Sequence, residues 1–137
     1  MALRTYLDAN VLIAAFRGEG ASWRRAMEIL DDPVRGFLVS DYLRLEVLPK
    51  PTSRKYRDEI EFMNAILDQA EEVAHTSTAL VSQAEALASK YDLGAIDALH
   101  VAAAVSVNAE ELITLEKPTK PICQVRELKV VSIYQAE

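Results

Sequence analysis

Short apolar runs and longer segments with helical spacing alternate along the chain. A short continuous apolar run is typical of a strand buried on both faces, whereas apolar residues three and four positions apart form one face of a helix. The runs predict strands over residues 3–7, 37–40, 72–76, 112–115 and 129–134. Between them the spacing predicts a helix or turn over 11–16 and helices over 22–30, 41–48, 53–70, 77–91 and 95–108.

Capping and breaking residues support these boundaries. Ser40 or Asp41 can cap the helix after the second strand, and Pro49 and Gly94 interrupt the helical pattern. Strands that alternate with helices favour parallel pairing with helices on both faces. We therefore expect an α/β fold, a three-layer α/β/α sandwich around a central, mostly parallel sheet of 4–5 strands. With no repeat and no linker, residues 1–137 are expected to form one domain.

The composition is that of a globular protein with an acidic balance. Half of the 137 residues are hydrophobic, 26% are charged, and the formal net charge is −6. This charge argues against a general polyanion binder, but it leaves open a metal-dependent site, which needs acids held together. The single cysteine, Cys123, cannot form an internal disulfide, and the start of the chain does not resemble a secretory leader. We expect a cytoplasmic protein without a membrane span.

Four acids lie within apolar segments or directly after them, where charged side chains are less common than on polar helix faces and in loops. Asp8 ends the first strand, and Glu116 follows the fourth. Glu46 lies within YLRLEVL, and Asp97 lies within GAIDALHVAAAV. The carboxyl ends of parallel strands face a common ligand crevice, so these carboxylates can meet there. Gathered carboxylates repel one another, and a hard divalent cation such as Mg²⁺ or Mn²⁺ relieves that repulsion.

Some of these residues also have simpler interpretations. Asp97 begins a helix, where the helix dipole favours an anion, and it can pair with His100 one turn later. Glu116 can be a solvated charge at the rim of the sheet. Asn10 and Thr114 lie two positions from the first and last of the acids, so their polar side chains are expected to support the site.

The segments YLDANVLIAAF, LEVL, IDALHVAAA and ITLEK follow one another in an order that resembles the PIN domain family, and more narrowly its small single-domain VapC-like toxin ribonucleases. The resemblance covers essentially the whole chain. It implies that Asp8, Glu46 and Asp97 bind the metal and that these three and Glu116 are the catalytic acids. Glu116 stands where the family usually has aspartate, a departure of one methylene. His100 matches a histidine that we interpret as structural.

The resemblance also implies a function. The chain would be an Mg²⁺- or Mn²⁺-dependent endoribonuclease that hydrolyses RNA phosphodiester bonds, and the toxin of a type II toxin–antitoxin module. Its partners would be an RNA substrate, an antitoxin and a second copy in a homodimer. The alternative is a non-catalytic PIN-like module that binds nucleic acid or protein. Phosphoaspartate proteins fit less well, because no second acid adjoins Asp8.

RNA requires positive charge near so acidic a site. The first 60 residues hold 10 bases and 9 acids, whereas the remaining residues hold 5 bases and 12 acids. The stretch PKPTSRKYR follows the Glu46 segment directly and contains no acid. Its simpler interpretation is a solvated loop and helix start. On the hypothesis of a nuclease, its cations are expected to bind RNA: Lys50, Arg54, Lys55 and Arg57.

Overall fold

The computed structural model describes residues 2–136. Its strands are β1 (Leu3–Leu7), β2 (Arg35–Ser40), β3 (Glu72–Ala74), β4 (Glu111–Thr114) and β5 (Lys129–Ser132). Its α-helices are α1 (Ala9–Arg17), α2 (Trp23–Leu30), α3 (Asp41–Val47), α4 (Pro49–Arg54), α5 (Arg57–Asp68), α6 (Thr78–Tyr91) and α7 (Ala95–Ser106). A short 3₁₀ turn, Pro121–Gln124, lies between β4 and β5. Among these residues, no helix is long and apolar enough to cross a membrane.

The strands form one parallel sheet in the order β3-β2-β1-β4-β5. Successive residues of the central strand β1 face opposite sides, as the pleat requires. Tyr6 packs in a core with α6 and α7, whereas Leu7 packs in a second core with α1, α3 and α5. Two cores on the two faces of one sheet make a three-layer α/β/α sandwich, so the predicted fold class is confirmed.

The order of the strands creates a crevice beside β1. The sheet extends from β1 through β2 on one side and through β4 on the other. After β1 the chain passes to α1 on one face, and after β4 it passes to the 3₁₀ turn on the opposite face. The two connections therefore diverge at the carboxyl ends of β1 and β4, which is where open α/β sheets bind ligands.

The single helix predicted over residues 53–70 is wrong, because the structure divides this region between α4 and α5. Lys55, between the two helices, has φ of 60°, in the left-handed region, which ends α4. Pro49, expected to interrupt the helical pattern, lies with Pro51 in the first turn of α4. Proline is tolerated there because the first N–H groups of a helix have no partner within it.

A buried ion pair ties together the amino ends of the central strands. Glu111, the first residue of β4, has a side chain that is 7% exposed. Its Oε2 accepts hydrogen bonds from the Thr5 hydroxyl (2.7 Å) and from Arg35 Nε (2.8 Å). Arg35 Nη1 also donates to Asp32 Oδ2 (2.6 Å). At this edge of the sheet the protein therefore supplies a cation for its own buried carboxylate.

We expect Arg35→Ala to lower the free energy of unfolding by about 3 kcal/mol, because the Glu111 carboxylate would stay buried without its cation. Urea denaturation followed by circular dichroism measures the change. The double variant Arg35→Leu with Glu111→Leu removes both charges and is expected to recover most of the loss. If the single variant is as stable as the wild type, the pair contributes nothing to stability.

Candidate metal centre

Asp8 follows β1 directly and lies in the crevice between β1 and β4. It is 6% exposed. Its N–H donates to the Ile113 carbonyl of β4 (3.0 Å), and its Oδ2 accepts a hydrogen bond from the Thr114 hydroxyl (2.8 Å). Contacts from both the backbone and a side chain of β4 therefore hold this carboxylate in place.

Both residues predicted to support the site lie beside it. Asn10, in the first turn of α1, accepts a hydrogen bond from the Leu115 N–H (3.1 Å), and its Nδ2 lies 3.5 Å from Thr114 Oγ1. Thr114 is fully buried, and its hydroxyl also accepts a hydrogen bond from the Glu116 N–H (3.2 Å). These bonds pin the end of β4 against the start of α1 and hold the backbone of Glu116 at the same edge of the sheet.

Glu46 lies in the last turn of α3. Its side chain is 36% exposed, and its Oε1 accepts a hydrogen bond from Nε2 of His100. His100, on α7, is fully buried. Its other ring nitrogen, Nδ1, lies 2.7 Å from the Tyr6 hydroxyl. The contact between Glu46 and His100 thus joins α3 to α7 at the crevice.

Asp8, Glu46 and His100 form a cluster of a size that one metal ion can occupy. Each residue offers a ligand atom, and the three atoms lie within 4.8 Å of one another. Two of the three are carboxylates, and the third is an imidazole whose Nε2 already contacts Glu46.

Asp97 and Glu116 add negative charge to this cluster. Burial raises the pKa of the Asp97 carboxyl, and the charges of Asp8 and Glu116 raise it further. Burial also raises the pKa of Asp8, while the His100 ring and the Thr114 hydroxyl oppose that rise. The ligand atoms within 4.8 Å of one another come from Asp8, Glu46 and His100, so Asp97 and Glu116 stand outside that cluster. Asp97 lies one turn before His100 on α7, and Glu116 follows the end of β4 by two residues, so the chain places both beside the cluster.

This set of donors fits a hard divalent cation. Unlike the amino edge, where Arg35 neutralises a buried acid, this edge has no lysine or arginine in an ion pair with its acids within residues 2–136. Carboxylate oxygens dominate the set, and Mg²⁺ and Mn²⁺ prefer oxygen ligands. A buried carboxylate without a cationic side chain beside it is a group that such an ion would stabilise.

A cleft with two cations on its walls adjoins the acidic cluster. The cleft has a volume of about 510 Å³, and the charged residues of its lining are the cations Arg17 and Lys50 and the acids Glu46 and Glu59. In the described part of the chain, neither Arg17 nor Lys50 forms an ion pair. Of the cations predicted to bind RNA, Lys50 lines this cleft, whereas three are exposed and do not line it: Arg54, Lys55 and Arg57.

Tyr6 and Ser40 belong to the surroundings of the site, although the sequence pattern did not single them out for it. The Tyr6 hydroxyl contacts both Ser40 Oγ (2.6 Å) and the ring of His100. Burial raises the pKa of the Tyr6 phenol far above its usual range, so the hydroxyl keeps its proton. In the sequence, the feature that could have identified Tyr6 is its hydroxyl, because a tyrosine inside a buried strand needs a polar partner for that group.

The sequence model of the PIN domain matches residues 5–118, a range that contains all four acids and both supporting residues. The chain belongs to the PIN domain family. No curated protein matches it.

Solved structures share the fold of this PIN domain. A chain of the VapBC2 complex from Rickettsia felis, bound to a DNA fragment from its promoter, aligns with a TM-score of 0.70 and 17% identity over 94% of this chain and 98% of that one. A chain of a toxin–antitoxin complex from Klebsiella pneumoniae aligns with a TM-score of 0.69 and 23% identity, over 96% of this chain and 99% of that one. VapC20 of Mycobacterium tuberculosis, a sarcin–ricin loop cleaving toxin, aligns with a TM-score of 0.63 and 16% identity, over 79% of this chain and 86% of that one. At these identities, the likeness is one of fold.

We expect the metal-free wild type to become less stable relative to Asp8→Asn as pH rises through the acidic range. Folding raises the pKa of Asp8 above its usual value of 3.8, so folding favours the protonated carboxyl. The stability that this group contributes is present below its unfolded pKa and is lost as pH rises through the raised pKa. Thermal unfolding in EDTA at a series of pH values measures the difference in Tm.

The same pair of proteins tests whether a metal offsets this loss. At neutral pH, Mn²⁺ at 100 times its Kd is expected to stabilise the wild type by about 2.7 kcal/mol, or roughly 5–10 °C in Tm. Asp8→Asn is expected to show little of this increase. An equal increase in the variant would mean that Asp8 is not a metal ligand, and a Tm difference independent of pH would mean that its burial carries no penalty.

Proposed function

We propose that this PIN domain is an Mg²⁺- or Mn²⁺-dependent endoribonuclease that acts in the cytoplasm as the toxin of a type II toxin–antitoxin module. The observation that carries the proposal is the cluster of Asp8 and Glu46 with His100 at the carboxyl edge of the sheet, to which no lysine or arginine of residues 2–136 is paired. Asp97 and Glu116 lie beside this cluster, and the charges of Asp8 and Glu116 act on Asp97. Membership of the PIN family and the fold shared with toxin–antitoxin complexes support it.

In this proposal, Asp8, Glu46 and Asp97 hold the metal, directly or through water. A bound divalent ion would lower the pKa of a water molecule and stabilise negative charge on the phosphate. Thr114 keeps the Asp8 carboxylate oriented through its hydrogen bond.

Glu116 is the better candidate to orient the attacking water and accept its proton. Glu46 already accepts a hydrogen bond from His100, whereas the Glu116 carboxylate makes none to another residue in the part of the chain that the structure describes. Glu116 is one methylene longer than the aspartate expected from the family resemblance, which gives its carboxylate more reach.

The substrate strand would extend from the acids along the adjoining cleft. Arg17 and Lys50 line that cleft together with Glu46, so a phosphate next to the scissile one can reach a cation without leaving the site. Arg54, Lys55 and Arg57 would contact RNA farther along the strand. Neutralising phosphates with arginine and lysine supplies affinity that does not depend on base sequence.

A protein antitoxin and a homodimer complete the proposal. The Rickettsia and Klebsiella neighbours are toxin–antitoxin complexes, and both cover nearly the whole of this chain. Two apolar side chains next to the acids in the sequence are exposed, and a partner protein could cover them: Leu45, 68% exposed beside Glu46, and Ile96, 46% exposed beside Asp97.

The second candidate function is a non-catalytic binding module, which the glutamate at position 116 and the net charge of −6 favour.

We expect Asp8→Asn and Asp97→Asn each to reduce Mn²⁺-stimulated cleavage of single-stranded RNA about 100-fold or more, because each removes a metal-binding charge. A gel-based cleavage assay with excess EDTA as the metal-free arm measures the loss. Asp68→Asn, an exposed acid at the end of α5, is the matched control and should cleave like the wild type. Full activity in either site variant contradicts the nuclease assignment. A wild type that binds RNA or protein but never cleaves would favour the binding module.

We expect replacement of Arg17 and Lys50 together by alanine to weaken RNA binding. The slope of log Kd against log salt should fall by about 0.7 for each phosphate that the variant no longer neutralises. Binding is measured by fluorescence anisotropy in an Asp8→Asn background, which prevents cleavage. Lys129→Ala, on the exposed start of β5, is the control. If only the triple variant of Arg54, Lys55 and Arg57 changes the slope, RNA follows the outer cations and not the cleft.

A further inference from the structure

A chain of buried hydrogen bonds runs from β2 through β1 to the acidic cluster. The Tyr6 hydroxyl, in the central strand, lies 2.6 Å from Ser40 Oγ and 2.7 Å from His100 Nδ1. Tyr6 and His100 are fully buried, and Ser40 is 1% exposed. The far ring nitrogen of His100, Nε2, contacts Glu46. The chain therefore connects the end of β2 to a proposed metal ligand through side chains that water does not reach.

The partners determine the direction of these hydrogen bonds. An ionised Glu46 carboxylate can only accept, so Nε2 of His100 carries the proton between them. At the other end, Ser40 Oγ already accepts the Leu43 N–H that caps α3 (3.1 Å). If Ser40 then donates to Tyr6, and Tyr6 donates to His100 Nδ1, every hydrogen in the chain has an acceptor.

The opposite direction leaves one hydrogen without a partner. If His100 Nδ1 donated to Tyr6 and Tyr6 donated to Ser40, the Ser40 hydroxyl hydrogen would need a further acceptor. Among residues 2–136, the only hydrogen-bond partners of Ser40 Oγ are the Tyr6 hydroxyl and the Leu43 N–H. A buried donor without an acceptor costs about 1–3 kcal/mol, so the direction from Ser40 to His100 is favoured.

We propose that Tyr6 is a positioning residue, which together with Ser40 fixes the His100 ring with its Nε2–H towards Glu46 and so holds the Glu46 carboxylate at the metal centre. The proposal rests on the proposed function only in taking Glu46 as a metal ligand. His100 acts in it as the donor to that ligand and not as a ligand itself.

Glu46 needs such a restraint because of where it lies. It is in the last turn of a seven-residue helix, and its side chain is 36% exposed. A glutamate side chain in that setting has several rotamers available, and ordering it costs conformational entropy. A buried histidine in a single tautomer and orientation selects the rotamer that faces Asp8. Residues that orient metal ligands in this way are worth about 10- to 100-fold in metal affinity.

Tyr6→Phe tests the proposal, because it keeps the ring and removes only the hydroxyl. Tyr42→Phe is the matched control: its hydroxyl makes a hydrogen bond of the same length, 2.6 Å, to Thr76, and that bond does not reach His100. We expect Tyr6→Phe to raise the Kd for Mn²⁺, measured by calorimetry without RNA, about 10-fold, and Tyr42→Phe to leave it unchanged.

The tautomer of His100 distinguishes a positioning role of the Tyr6 hydroxyl from a purely structural one, because a structural role would leave the tautomer unchanged. In ¹⁵N-labelled protein with Mg²⁺, the ring nitrogens of His100 are expected to show the Nε2–H tautomer in the wild type and in Tyr42→Phe. A mixture of tautomers is expected in Tyr6→Phe. Should Tyr6→Phe unfold, Ser40→Ala removes the other hydroxyl of the chain and is expected to shift the same signals in the same direction.

Three results would overturn the proposal. The first is a Tyr6→Phe protein with the wild-type Kd and wild-type His100 signals. The second is loss of the Nε2 proton in the wild type when Mg²⁺ binds, since His100 would then be a ligand. The third is a wild type that binds no Mn²⁺ at all, which would also remove the proposed metal centre. A wild type that binds Mn²⁺ but cleaves no RNA would contradict only the proposed nuclease.

Discussion

The rest of the site depends on one constraint, a carboxylate buried at the end of the central strand. Asp8 is 6% exposed, and burial raises its pKa. The ionised form of this carboxyl therefore lowers the stability of the folded state. A hydrogen bond from Thr114 and the start of α1 offset part of that penalty, because a hydroxyl and a helix amino terminus both favour an anion. What they do not offset is left for a ligand of opposite charge.

The two edges of the sheet deal with buried charge in opposite ways. At the amino edge, Glu111 is paired with Arg35, so the charge is balanced inside the protein and the strands are fastened together. At the carboxyl edge, His100 is the only basic side chain that pairs with the acids of the site among the residues described. Arg17 and Lys50, which line the adjoining cleft, form no ion pair among those residues. The first edge balances its buried charge internally, whereas the second keeps acids whose charge a metal cation would neutralise.

Particular residues show why sequence reasoning reached some parts of this arrangement and missed others. Asp8 and Asp97 stood out because each interrupts an otherwise apolar segment. Glu111 is just as buried, but it follows another acid at a strand start, so its burial has no local signature. The break between α4 and α5 depends on a left-handed Lys55, a conformation that lysine propensity does not favour. Tyr6 looked like any aromatic residue in a buried strand, because nothing local reveals what its hydroxyl will meet.

The sequence by itself determined the kinds of elements, their order and therefore a parallel sheet between two layers of helices, because hydrophobic periodicity is a local property of the chain. It also determined which acids are unusual. Only the tertiary structure decided that β1 lies between β2 and β4, that Glu46 turns from the end of α3 towards His100, and that Lys50 lies in a cleft with Arg17. Those contacts join residues far apart in the chain, and they follow from strand order and side-chain packing, which no local pattern encodes.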